Sequence, residues 1–281
     1  MPLALVAECQ LHKGFHMLRI GQINFINCLP INIPLARMGF ANKLEYEIIE
    51  GNPAELNQML RNQELDIAPI SSYEFLSQPM LYKKIETLSI SSKSYADSVL
   101  FFCNQDFFNN NKQTIHVTNK SASSVALLKI ILKNVYAMNL DLIQFEKFNE
   151  NKNYPAKLLI GDEALTENKD NYEIILDLGE RWQSMHSLPM VFGLWVCNKS
   201  SSTYKDKDLF DFLGQEFYRL KEYGLNEIYP DIIIEAFKET GLSKTILNQY
   251  FQNLDYDFTT KHQQSLDLFS EHLQKDLAIS Y

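Results

Sequence analysis

The feature that most constrains this chain is a regular alternation, from residue 18 onward, of short apolar strands with helical stretches of about ten residues. Residues 18–24 read as an alternating strand, and 30–38 read as a helix with Pro30 near its first turn. A second strand covers 44–50. Gly51-Asn52-Pro53 punctuates it, and Asn52 is placed to cap a helix over 53–62. A third strand covers 65–69, and a helix opens at Ser71 and runs to 76. Parallel strands need crossovers of this length, so the pattern predicts a mostly parallel sheet covered on both faces.

That rhythm breaks between 85 and 103. Two extended pieces, 85–91 and 98–103, stand too close in sequence for a crossover helix. The chain is therefore expected to leave a first lobe here and enter a second. The second would hold strands at 114–118, 140–145, 156–160 and 173–176, with helices at 123–136 and 162–167. The apolar run 190–196 is expected to carry the chain back. The remainder reads as helices at 204–223, 226–238, 244–251 and 260–277. In the last of these Leu266, Phe269, Leu273 and Leu277 form one buried stripe, and these tail helices are expected to pack on the first lobe.

The resulting division is 1–16 as an upstream extension or cloning scar, 17–98 plus 198–281 as lobe 1, and 99–197 as lobe 2. Two crossings between two α/β lobes make a hinged clamp whose ligand sits in the cleft, where strand ends and helix starts converge. Two domains joined by a single linker are the alternative topology.

Composition removes whole classes of function. With 26 basic against 35 acidic residues the formal net charge is −9, which argues against a nucleic-acid surface. A small anion is still accommodated, because helix N-termini override the net field locally. The longest apolar runs are too short to cross a bilayer. The first sixteen residues lack a basic start and a cleavage site, so a cytoplasmic protein is expected. The four cysteines form no CxxC pair and read as buried, reduced thiols. Neither GxGxxG nor GxxxxGK[ST] occurs, nor HExxH, nor GxSxG, so no nucleotide cofactor, metal or serine-hydrolase elbow is expected. Hydroxyls, amides and helix starts remain, an inventory suited to holding and orienting a small anion. Monomer and homodimer both stay open.

Several segments carry such groups at strand ends. Asn27, in Asn24-Phe25-Ile26-Asn27-Cys28-Leu29-Pro30, follows the first strand and presents a neutral amide; it also reads as a turn former or cap before Pro30. Ser71 and Ser72 follow the third strand, where either caps the next helix and the N–H groups beyond can face a carboxylate. Ser98 stands at the first crossing. Ser121, Ser123 and Ser124 cluster at the start of the longest helix of the second lobe. Asp162, after another strand, reads first as an N-cap and second as a hinge or cleft contact.

The ordered series Asn27-Cys28-Leu29-Pro30, Gly51-Asn52-Pro53-x-x-Leu56-Asn57, Leu65-Asp66-Ile67-Ala68-Pro69-Ile70-Ser71-Ser72, Ser98-Val99-Leu100, the segment 121–125, Leu158-Leu159-Ile160-Gly161-Asp162, Asp177-Leu178-Gly179 with Trp182, and Leu188-Pro189-Met190-Val191-Phe192 resembles the chorismate dehydratases of the futalosine route to menaquinone. The match runs in order over residues 18–195. The resemblance implies an α/β, two-lobed fold like the type II periplasmic binding proteins, with two hinge crossings and extra C-terminal helices. It implies a cofactor-free hydro-lyase that removes water from chorismate to give 3-[(1-carboxyvinyl)oxy]benzoate. Asn27 and Ser98 match the family's catalytic pair, while Ser71, Ser72, Ser121, Ser123, Ser124 and Asp162 are the expected substrate contacts. The sister enzyme that forms 1,4-dihydroxy-6-naphthoate, and a non-catalytic anion binder of the same fold, are the competing readings.

Overall fold

The structure, a computed structural model, describes residues 17–40, 44–109, 113–117, 122–147 and 154–277. The expected extension 1–16 and Ser121 lie outside the described residues.

The first lobe opens with β1 (Leu18–Gln22), α1 (Leu29–Met38), β2 (Tyr46–Glu50), α2 (Pro53–Arg61), β3 (Ile67–Ser71), α3 (Ser72–Ser77) and β4 (Tyr82–Ser92). Asn52 caps α2 as expected. Its Oδ1 accepts from the N–H groups of Ala54 and Glu55 at 3.0 and 3.1 Å, while Glu55 Oε2 accepts from Asn52 N–H at 3.0 Å. The chain then crosses through 93–98 into β5 (Val99–Cys103), α4 (Asp106–Asn109), β6 (Gln113–Val117), α5 (Ala122–Asn134), β7 (Ile143–Lys147), β8 (Ala156–Ile160), α6 (Gly161–Thr166), β9 (Ile174–Asp177) and α7 (Leu178–His186). It returns in β10 (Met190–Asn198) and ends in α8 (Ser202–Lys205), α9 (Lys207–Glu222), α10 (Tyr229–Thr240), α11 (Lys244–Asn253), β11 (Leu254–Asp257) and α12 (Thr260–Leu277).

Among the described residues the strands form two sheets, ordered β11-β4-β10-β3-β1-β2 and β7-β6-β8-β5-β9. Each contains one strand that arrives across the hinge. β10 runs antiparallel between β3 and β4, and β5 runs antiparallel between β8 and β9. The mostly parallel sheet expected from the strand–helix rhythm is therefore confined to β1–β3 and to β6–β8. A strand entering from the other lobe has no crossover helix to turn it parallel.

Two boundaries differ from the sequence reading. β10 pairs with β4 from Met190 and with β3 from Gly193 onward, so the return crossing falls at 187–189 and not after Cys197. The ladder hydrogen bonds of this apolar strand decide its lobe. The tail also divides. On α12, Leu266 packs with the core under the first sheet, whereas Phe269 and Leu273 enter the core of the second lobe beside Trp182. Trp182 Nε1 donates to Ser265 Oγ at 2.8 Å, and Asn134 Nδ2 donates to Asp276 Oδ2 at 2.9 Å. The C-terminal helix thus straps the lobes together, because its stripe finds its deepest apolar partners on α5 and α7. The reading also missed β11, a short edge strand that pairs with β4. Cys28, Cys103 and Cys197 are buried free thiols, as expected.

Candidate active site

A cleft of about 720 Å³, counted to its open mouth, lies where the two sheets meet. Its walls come from the turn before α1, the ends of β3 and β8, the crossing 93–98, the start of α5 and the middle of β10. Phe25, Ile160, Phe192 and Leu254 make it apolar. The side-chain amide of Asn27 and the hydroxyls of Ser71, Ser98 and Ser124 supply its polar points. No charged side chain lines it among the described residues. An anion here would be held by neutral dipoles in a low-dielectric setting, where each hydrogen bond counts for more than in water.

Asn27 sits in the single turn Ile26–Cys28 that joins β1 to α1. Cys28 Sγ donates weakly to its Oδ1 at 3.3 Å, which leaves the Nδ2 protons uncommitted among the described residues. Burial pushes the Cys28 thiol up to about 12, so it remains protonated and is no nucleophile at neutral pH. Tyr256, buried on β11, donates from its hydroxyl to the backbone carbonyl of Asn27 at 2.8 Å.

Ser98 closes the crossing. Its Oγ donates to Ala96 O at 3.2 Å and accepts from the Tyr250 hydroxyl at 3.1 Å, while its carbonyl accepts from Gly161 N–H at 2.8 Å. The crossing is gripped on both sides. Asp177, the cap of α7, accepts from the N–H groups of Ala96 and Asp97 at 3.0 and 2.7 Å as well as from Gly179 and Glu180 at 2.9 and 3.1 Å. Burial pushes the Asp177 carboxyl upward, and these N–H groups offset only part of that. From the tail, Asn253 Nδ2 donates to Asp97 Oδ2 at 2.7 Å, and Lys93 N–H donates to Asn253 O at 3.0 Å. Asp97 itself adopts φ +55°, a left-handed conformation that these partners hold in place.

The remaining candidates divide. Ser71 caps α3 by accepting from Glu74 N–H at 3.2 Å, and it lines the cleft. Ser124 lines the cleft as well. Ser72 and Ser123 do not; their hydroxyls meet each other at 3.2 Å, and Ser123 Oγ accepts from Tyr73 N–H at 2.7 Å, joining α3 to α5. Both are buried, so they bridge the lobes behind the cleft wall. Asp162 is not the N-cap of α6, which starts at Gly161. Its Oδ1 accepts from Ile26 N–H of the first lobe at 3.3 Å, the second of the two readings made for it. Tyr250 and Tyr256 were missed altogether. Their signal was chemical: a tyrosine on a buried stripe, as at Leu247-Tyr250-Phe251, requires a partner for its hydroxyl.

Two lobes, two crossings and a neutral polar cleft between them define a fold of the periplasmic-binding-protein class. The comparisons agree. A structure from Archaeoglobus fulgidus superposes with a TM-score of 0.72 at 16% identity, covering 95% of this chain and all of that one. The periplasmic aliphatic sulphonate binding protein of Escherichia coli does so at 0.63 and 13%, covering 94% of this chain and 90% of that one. Within that fold, the chain belongs to the menaquinone biosynthesis family VitK2_biosynth, which it matches over residues 18–275. Among its relatives are two proteins named chorismate dehydratase. The one from Campylobacter jejuni is 29% identical over 188 residues, 66% of this chain and 70% of that one. The one from Thermus thermophilus is 24% identical over 278 residues, 90% of this chain and 94% of that one.

Proposed function

We propose that this chain is a chorismate dehydratase. It takes chorismate into the cleft and eliminates water to give 3-[(1-carboxyvinyl)oxy]benzoate, with no added cofactor. The observation that carries this reading is the meeting of Asn27, from the turn after β1, and Ser98, from the crossing before β5, on one apolar cleft in a chain of the menaquinone family. The names of its relatives supply the substrate.

In the reaction one ring carbon loses a proton, the neighbouring carbon loses its hydroxyl, and the electron pair of the C–H bond completes an aromatic ring. With no acid or base side chain on the cleft wall among the described residues, a substrate carboxylate is the group that receives the proton. Asn27 holds that carboxylate, Ser98 holds the departing hydroxyl, and the carboxylic acid so formed returns its proton to that hydroxyl, which leaves as water. Ser71 and Ser124 contact the second carboxylate. Ser72, Ser123 and Asp162 keep the lobes in register around it. Orientation and exclusion of water supply most of the acceleration.

Incubating the purified protein with chorismate and following an aromatic product by absorbance and mass tests the reading. Replacing Asn27 with Ala is expected to cut turnover by about a hundredfold or more with folding intact. Near-parental turnover in that variant would remove Asn27 from the mechanism. Tight binding of another anion without conversion of chorismate would favour a carrier, and formation of a dihydroxynaphthoate from a later intermediate would favour the sister enzyme.

A further inference from the structure

We propose that Tyr250 and Tyr256 are positioning residues of the site: Tyr250 sets Ser98 as an acceptor toward the substrate, and Tyr256 holds the backbone from which Asn27 presents its amide as a donor. The inference rests on the reading of Asn27 and Ser98 just given and deepens it.

A serine hydroxyl has one proton and two lone pairs. At Ser98 the proton goes to Ala96 O, and one lone pair receives the Tyr250 hydroxyl. The lone pair that is left is what Ser98 offers the cleft. Tyr250 is 1% exposed, and burial drives its phenol far above the ordinary range, so it stays a donor throughout the working pH range. The partner of Ser98 must therefore itself carry a proton, as the hydroxyl to be eliminated does. At Asn27 the arrangement is the complement. Cys28 Sγ–H marks the oxygen side of the amide, Tyr256 pins the backbone carbonyl, and the Nδ2 protons remain for an acceptor such as a carboxylate. Both tyrosines belong to one continuous segment, α11 and β11, and Leu254 between them lines the cleft. A donor and an acceptor of fixed sense would select substrates that present a carboxylate and a hydroxyl in one order only.

Tyr250→Phe keeps the ring and deletes the donor, freeing Ser98 to rotate. The expected result is a fall in kcat of about tenfold to a hundredfold with KM changed less than about threefold. In the double variant Ser98→Ala/Tyr250→Phe, the tyrosine change is expected to add nothing to the loss from Ser98→Ala alone. The cycle is read on kcat, with the residual turnover of Ser98→Ala followed by product mass at high enzyme concentration so that a disabled protein still reports. A multiplied loss in the double variant means that Tyr250 acts apart from Ser98 and overturns the proposal. Parental kcat in Tyr250→Phe, beside a disabled Ser98→Ala, overturns it while leaving the dehydratase reading intact. An active Ser98→Ala protein removes both the role of Ser98 and the proposal. Circular dichroism and cooperative unfolding check the fold of each variant. Should Tyr250→Phe not fold, the same cycle on Tyr256→Phe with Asn27→Ala decides, with non-additivity expected and additivity overturning.

Discussion

Gly214, inside α9, and Gly224, in the wide turn that follows it, lie ten residues apart, and alanine should move the protein in opposite directions at the two. Gly224 belongs to the wide turn Tyr223–Glu227 that follows α9 and packs against the start of α1. A Cβ there would stand 2.0 Å from Pro30 O, 2.8 Å from Pro30 C and 3.1 Å from Pro30 Cα, against an ordinary contact of 3.4 Å or more. The obstacle is backbone, so no rotamer relieves it. Overpacking of this kind costs about 3 kcal/mol, and the better helix propensity of alanine returns up to about 1 kcal/mol. A net loss of about 2–3 kcal/mol is expected. With unfolding entropy of about 2.1 cal/mol/K per residue over 281 residues, that lowers Tm by roughly 3–5 °C. At Gly214, inside α9, nothing lies within 4 Å of the new methyl, so Gly214→Ala should raise Tm by about 1–2 °C. Relief of the Gly224 clash requires α1 to retreat by about an ångström, and Asn27 stands three residues before Pro30. Turnover in Gly224→Ala should then drop by roughly a hundredfold, while Gly214→Ala keeps the parental rate. Differential scanning calorimetry and the chorismate assay read both effects. Equal shifts at the two glycines, or a Gly224→Ala protein that melts with the parent, would refute the steric reasoning.

Truncating Leu273, fully buried where α12 enters the second lobe, to Ala should cost about 2–5 kcal/mol in urea unfolding. A loss below 1 kcal/mol would mean that the C-terminal strap contributes little. Acid should loosen the same strap: burial raises the Asp276 carboxyl, but hydrogen bonds from His272, Asn134 and Lys133 outweigh it and hold its pKa at about 2. Because the folded value lies below the unfolded one of about 3.9, the stabilisation is fully present above roughly pH 5 and fades as pH falls toward 2. Urea midpoints of the parent and Asp276→Asn should accordingly differ above pH 5 and converge in acid. A gap that stays constant with pH would assign the effect elsewhere.

Local pattern carried the strand–helix rhythm, the Asn52 cap and the polar groups at strand ends, since each depends on residues within one or two turns of each other. The sense of β10 and the split of α12 depended on which apolar surface was free to receive them, a property of the assembled lobes. Ser72 and Ser123 show the same limit: both are helix-start serines by sequence, but tertiary contact turns them toward each other and away from the cleft. The largest gap concerns the site's supports. Ser98 and Tyr250 are separated by 152 residues, and Asn27 and Tyr256 by 229. By itself the sequence determined an α/β fold with hydroxyls, amides and one carboxylate, Asp162, set at strand ends and helix starts. Only the tertiary structure decided how those groups are oriented, because a hydrogen bond between distant segments follows from where the chain packs and leaves no periodic trace in either segment.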